Sequence, residues 1–484
     1  MNVKFGLPLL MSGFALSQPV GTFTATGKMT IARIGHTATL LPTGKVLIAG
    51  GSTSGPPQLS LASAELYDPS TGLFSPTGDM TTARRGHSAT MLPNGKVLMA
   101  GGTTSESTTN FQILLGSAEL YDPSTGTFTP TASLLTPGPS PAILLADGKV
   151  LIAHDRMGSK AATAELYDPV TGLFSATGDQ LVMFGGDQLL TLLPDGKVLL
   201  AICCGAEQLY DPARGTFSLT GRTTRVYPDG FAAAPLTNGK VLLTGGYAEE
   251  ANAFSNGAEL YDPIIGAFAP AGNMITGRSY HTATLLGDGT VLIAAGIQAM
   301  GFGTTTGTGG EIYDPATGTF SRTGDMTAGR CYHTSTLLLD GTVLLVGGVT
   351  INGNAYDILA SADLYHPPVT VAAPTLFSLS GDGQGQGAIW HAATGQIASG
   401  NSPAIASEAL SMYTTTLADG GVILPQVAIG GRLAEVLYFG VAPGYPGYYQ
   451  VNFRVPSGVA PGQAVPVRLT YIGRPSNAVT IGLN

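Results

Sequence analysis

Charge is scarce in this sequence: 11% of its 484 residues are Asp, Glu, Lys or Arg, the formal net charge is -9, and no basic stripe with interleaved aromatics runs along it. That argues against nucleic acid as a partner, because phosphate binding needs clustered cations. Beyond the extreme N-terminus no apolar run reaches about twenty residues, so an ordinary membrane-spanning helix is excluded. Three cysteines, Cys203, Cys204 and Cys331, imply no disulfide framework, since sequence neighbours rarely bridge each other. Also missing are a Walker-type phosphate loop, a His-Glu-x-x-His pair, a Cys-x-x-Cys pair and a Gly-x-Ser-x-Gly nucleophile turn. Gly301-Phe302-Gly303 and Gly307-Thr308-Gly309-Gly310 lack the flanking strand and helix of a dinucleotide site.

What the chain has in quantity is glycine (68), proline (32) and apolar residues (44%), which suits turns and a large core better than solvated helices. It also repeats itself. The phrase Ala64-Glu65-Leu66-Tyr67-Asp68-Pro69 returns with its tyrosine at Tyr121, Tyr167, Tyr210, Tyr261, Tyr313 and Tyr365. A second phrase, Gly-Lys-Val or Gly-Thr-Val between apolar runs, begins at Gly44, Gly95, Gly148, Gly196, Gly239, Gly289 and Gly341. The period is about fifty residues, that of a propeller blade. Each unit reads as four short strands joined by tight turns, with glycine accepting the positive φ of the hairpin and Asp-Pro opening the third-to-fourth turn. Residues 21–29 form a fourth strand without a third, and residues 362–365 a third without a fourth. The N-terminal strand is therefore predicted to complete the seventh blade and leave no open edge.

Arg33-x-x-His36, Ala49-Gly50-Gly51, Leu66-Tyr67-Asp68-Pro69, Gly72-x-Phe74 and Thr77-Gly78-Asp79-Met80 resemble the kelch repeat, in particular the central seven-bladed domain of galactose oxidase-like proteins. The resemblance implies an all-β, seven-bladed propeller over residues 18–368, and it covers enzymes, adhesins and scaffolds alike. Residues 369–376 read as a linker, and residues 377–484 as an Ig-like β-sandwich. Phrases there, such as Gly387-Ala388-Ile389-Trp390-His391, resemble an uncharacterised C-terminal domain family of secreted bacterial proteins. Residues 1–17 resemble a short signal peptide, so a secreted, extracellular or periplasmic location is expected.

The tight turns must share one face of the ring, and the loops that vary share the other, where ligands are expected. Long loops in blades one, two, five, six and seven predict a raised rim with a low sector over blades three and four. Eight residues before each turn glycine stand His36, His87, Ser140, Gln188, Phe231, His281 and His333. Four histidines on contiguous blades could be pictured as a metal site. Their repetition argues instead for hydrogen bonds across blade junctions, with Arg33, Arg84, Arg278 and Arg330 tying loops to acids. By the same symmetry Glu65, Glu119, Glu165, Glu259, Glu311 and Asp363 read as structural.

Candidate binding residues on the variable face are Tyr280, His281, Tyr332, His333, His36, His87, His154, Asp155 and Gln188. The expected function is non-enzymatic binding of carbohydrate or protein, with no cofactor and no catalytic residue. The alternative, implied by the galactose oxidase resemblance, is a copper radical oxidase of sugars or primary alcohols whose ligands would be Tyr280, His281, Tyr332 and His333. Against it, Gly35 and Gly86 stand where a second-site tyrosine is needed, and Cys331 and Tyr332 should point apart on a strand. Blades three and four break the pattern with His154-Asp155-Arg156, Asp187-Gln188 and Ile202-Cys203-Cys204, which could line a polar or soft-metal site or reflect repeat decay.

Overall fold

The computed structural model describes residues 21–53, 59–105, 112–154, 163–181, 187–202, 207–224, 229–248, 253–299, 303–369, 371, 373–417 and 425–484, and its regular elements are all β-strands. Between Thr22 and His366 the described residues form, besides two sheets made by loops, seven antiparallel sheets that each hold a four-strand path and follow one another in chain order. Their first strands, Thr37–Leu40, Ser88–Met91, Ala142–Leu144, Gln188–Leu192, Asp229–Pro235, Thr282–Leu285 and Thr334–Leu337, touch one another in a closed cycle. This is a β-propeller. The seventh sheet is completed by Thr22–Lys28, which pairs with Ser361–His366 through Phe23 opposite Tyr365 and Thr24 opposite Leu364.

Burial within a blade explains its sequence. Second strands such as Val46–Ala49 and Val343–Val346 are buried throughout, because neighbouring blades cover both faces, and they read as unbroken apolar runs. Third strands alternate, and fourth strands lie at the exposed outer edge. Each junction carries its own core; Leu40, Val46, Ile48 and Tyr67 of the first blade pack on Leu338, Leu344 and Val346 of the seventh. Burial of one such side chain stabilises by about 1.5–3 kcal/mol.

The repeated tyrosine closes the junction from outside. Tyr67 packs on Phe74 with ring centroids 4.9 Å apart, and its hydroxyl shares a 2.9 Å hydrogen bond with Thr26 of the preceding blade. Thr77, Thr131, Thr177, Thr220 and Thr323 serve Tyr121, Tyr167, Tyr210, Tyr261 and Tyr365 in the same way. Tyr313 meets Ala271 instead of a threonine, and its buried hydroxyl has no partner.

On the variable face the rim is itself β-structure. Thr103–Ser105 pairs with Gln112–Leu114 in the second blade, and Ile297–Ala299, Thr305–Thr306, Val349–Asn352 and Ala355–Ile358 make one sheet spanning blades six and seven. The expected low sector rests on residues 155–162 and 203–206, which lie outside the described residues together with Asp155, Arg156, Cys203, Cys204 and the proposed leader 1–17.

The C-terminal unit folds one eight-stranded antiparallel sheet around a core that includes Leu410, Met412, Val427, Val451, Phe453, Leu469 and Ile481. Leu376, assigned to the linker by sequence, is buried in that core and donates its backbone N–H to Asn477 Oδ1. Part of this unit, from Gln426–Ile429 and Gly462–Tyr471, faces the tight-turn side of the propeller across cavities of about 800 and 530 Å³. Their walls are largely aliphatic, and Arg468 crosses over to donate to the Pro42 carbonyl at 3.4 Å. The variable face lies on the opposite side of the ring.

Candidate functional site

One residue before each of the inner-strand positions named above, the chain turns at the mouth of the central channel. Gly35, Gly86, Gly230, Tyr280 and Tyr332 all adopt positive φ there, at 66°, 59°, 70°, 55° and 53°. Glycine takes that conformation without strain, whereas a bulky side chain costs about 1–2 kcal/mol. A Cβ on Gly35 would meet nothing nearer than 3.6 Å, so side-chain room is not what requires glycine at that position. The two tyrosines therefore occupy strained backbone that glycine would relieve, and strain of this kind clusters at functional sites.

These tyrosines come together. Their rings lie 4.2 Å apart between centroids, Tyr332 N donates to Tyr280 O at 3.3 Å, and Tyr280 N donates to Gly230 O at 2.7 Å. Gly230 N in turn donates to Asp187 Oδ2 at 2.6 Å. Tyr332 is 42% exposed at the opening. Burial raises the Tyr280 phenol pKa, a hydrogen bond to Tyr332 opposes the shift, and the carboxylates of Asp187 and Asp229 add to it. The Tyr332 phenol is raised far above its ordinary range by burial and then by Tyr280. The mouth thus offers two neighbouring protonated phenols and two carboxylates around one opening. Asp229 was not singled out in the sequence; its neighbourhood to the tyrosines arises only on ring closure.

The histidines point elsewhere. His36 Nε2 pairs with Thr334 Oγ1 (3.1 Å), His87 with Thr37 (3.0 Å), His281 with Thr244 (2.8 Å) and His333 with Thr282 (3.0 Å), each across a blade junction. All four rings are buried; burial first and the nearby arginine next depress their pKa values, to about 3 for His36, His87 and His281, and well down for His333. The arginines are buried beside them. Arg33 donates to the carbonyls of Gly50 and Ser63, both at 2.9 Å, and to Glu65 at 2.8 Å. Arg84–Glu119, Arg278–Glu311 and Arg330–Asp363 repeat the arrangement.

His154 explains one break in the pattern. The third blade has Pro137 where blades one, two, six and seven place that arginine, and His154 Nε2 reaches Glu165 while its Nδ1 pairs with Ser140 Oγ at 2.8 Å. It is a buried substitute partner for the blade's carboxylate. Gln188 starts its inner strand with its Oε1 buried and unpartnered. His391 belongs to the C-terminal unit, held by Glu408 Oε1 at 2.6 Å and by the Ser402 carbonyl at 2.9 Å. Of the residues predicted for the site, the mouth unites Tyr280 and Tyr332. The four repeated histidines sit in the junctions beneath it.

Copper can be weighed against these side chains. The two phenol oxygens are suitable donors, but the imidazole Nε2 atoms are engaged by threonine, and the described residues contain no group of three or more His, Cys, Asp or Glu side chains that could hold a metal. The Cys331 thiol is buried against the Val349 carbonyl at 3.7 Å, and burial raises its pKa to about 12. As placed, the set supplies oxygen donors without the nitrogen donors, and no reaction step is drawn through the metal.

No family model and no curated protein matches the chain. Among solved structures it is similar to a novel fungal alcohol oxidase of the AA5 family in complex with copper, with a TM-score of 0.64 and 18% identity over 96% of this chain and 100% of that one. At that identity the likeness shows the fold, a galactose oxidase-like β-propeller. It also corrects one expectation: absence of a cofactor, read from the repeat's symmetry, is overturned by a neighbour that carries copper on this architecture. Symmetry could exclude the repeated histidines, but it was silent about the column beside them. Among the described residues no helix is long and apolar enough to cross a membrane.

Proposed function

We propose that the chain is an exported, seven-bladed kelch-type propeller with an Ig-like C-terminal domain, and that its mouth at Tyr280 and Tyr332 works as a copper-dependent oxidase of sugars or primary alcohols. The observation that carries this reading is the pair of tyrosines in strained backbone, hydroxyls adjacent, at the open end of a propeller whose fold matches a copper-bound alcohol oxidase. The comparison favours it over a purely non-enzymatic role. Tyr280 and Tyr332 are the residues present that would hold copper, through their phenol oxygens, and a metal held there would supply redox chemistry toward an alcohol. The protein's own part is to position the phenols, and to surround them with the Asp187 and Asp229 carboxylates that can accept hydrogen bonds from substrate hydroxyls.

One observation favours a second reading. With His281 and His333 bound into the junctions, the same mouth would hold a carbohydrate by stacking and hydrogen bonding without transforming it. Elemental analysis after copper loading and dialysis, with peroxide release on a panel of sugars and primary alcohols, separates the two. Stoichiometric copper and substrate-dependent peroxide support the oxidase. Retention of no copper refutes it and leaves carbohydrate binding at the mouth as the reading to test.

A further inference from the structure

The C-terminal unit carries an aromatic cluster that neither its core nor the propeller uses. Phe377, Tyr413, Tyr445 and Tyr448 enclose an open depression of about 200 Å³. Tyr413 stands between two rings, with Trp390 at 5.4 Å, edge to face, and Tyr445 at 5.7 Å; Phe377 meets Tyr448 at 5.6 Å. Tyr445 and Tyr448 are 58% and 43% exposed. Rings grouped in water forgo burial that a core would give them, and such grouping marks a binding surface.

The sheet beside the cluster indicates what binds. Ala409–Thr414 turns Leu410, Met412 and Thr414 into the interior, so Ser411 and Tyr413 lie on its outer face. Gln450 is paired opposite Tyr413, and Asn452 opposite Ser411. The Gln450 amide donates to Ser411 Oγ at 3.1 Å and to Asn452 Oδ1 at 2.9 Å, which orients both amides next to the rings. Farther along, Arg454 is neutralised by Glu435 at 2.8 Å. A shallow, uncharged, ring-sized depression with flat aromatic walls and oriented amides matches a neutral sugar, whose C–H faces stack on rings and whose hydroxyls both donate and accept. Because the outer strands facing the propeller are Gln426–Ile429 and Gly462–Tyr471, this face is a different one. We propose that it is a second binding site, for a neutral pyranose within a polysaccharide, that holds the propeller to a glycan surface.

Trp390 is the chain's single tryptophan, so its fluorescence reports on this patch alone. Cello-, xylo-, malto- and chito-oligosaccharides titrated into the whole protein should include one that gives a saturable change. Binding should weaken by about tenfold or more in Tyr445→Ala/Tyr448→Ala. Those residues are exposed, and an unchanged thermal midpoint verifies the fold. Tyr332→Phe should bind like wild type, so the result does not depend on the propeller mouth. No saturable change with any sugar at millimolar concentration, or equal affinity in the double variant, would overturn the proposal. A response to a proline-rich peptide and to none of the sugars would overturn it as well, assigning the patch to a protein partner.

Discussion

Blades one and two share almost everything with blades six and seven except the residue at the mouth. All four bury an arginine against a strand-three acid, and all four place a histidine across the junction. At the adjoining left-handed position the first pair has Gly35 and Gly86, and the second has Tyr280 and Tyr332. What repeats holds the ring together. What departs from the repeat, against the backbone's preference, is where we propose that the molecule acts.

The comparison breaks most visibly if a framework residue is removed. Arg330→Ala leaves Asp363 buried and unpaired, and is expected to lower stability by about 3–5 kcal/mol in urea denaturation. His154→Ala should approach that loss in the third blade, because His154 is the partner of Glu165 there.

Acid should weaken the same framework. Burial in the fold lowers His36, His87 and His281 from about 6.5 to about 3, so between those values the unfolded chain binds more protons and stability falls as pH drops. Each histidine contributes a slope of about 1.4 kcal/mol per pH unit in that window. Denaturation midpoints at pH 7 and pH 5 check this; equal stability at both would contradict it.

At the mouth the effect should be smaller. Gly86→Tyr has space, its nearest neighbour to a Cβ being 3.9 Å away, and should cost about 1–2 kcal/mol through backbone strain alone. Smaller still, Ala271→Thr should give the Tyr313 hydroxyl the partner its six counterparts have, and raise stability by about 1 kcal/mol.

Much of the ring was legible because a period forces it. Turn glycines, the tyrosine phrase and the incomplete first and last units specify strand order and the closing strand without any long-range information. The mouth was legible only as a list of residues. Backbone strain at Tyr280, the stacking of residues 280 and 332, and the approach of Asp187 and Asp229 depend on how seven separate turns converge, which no local pattern encodes. The substitution of His154 for an arginine was visible as a broken column, but its partner Glu165 became apparent only from the packed blade.

The most direct measurement pairs stability with copper content in Tyr280→Gly/Tyr332→Gly. Removing both tyrosines should leave the denaturation midpoint at or above that of wild type, since glycine relieves the strain, and should abolish copper retention after loading and dialysis. Wild-type copper content, or a loss of stability as large as that of Arg330→Ala, would show that the tyrosines belong to the framework and contradict the assignment of function to the mouth.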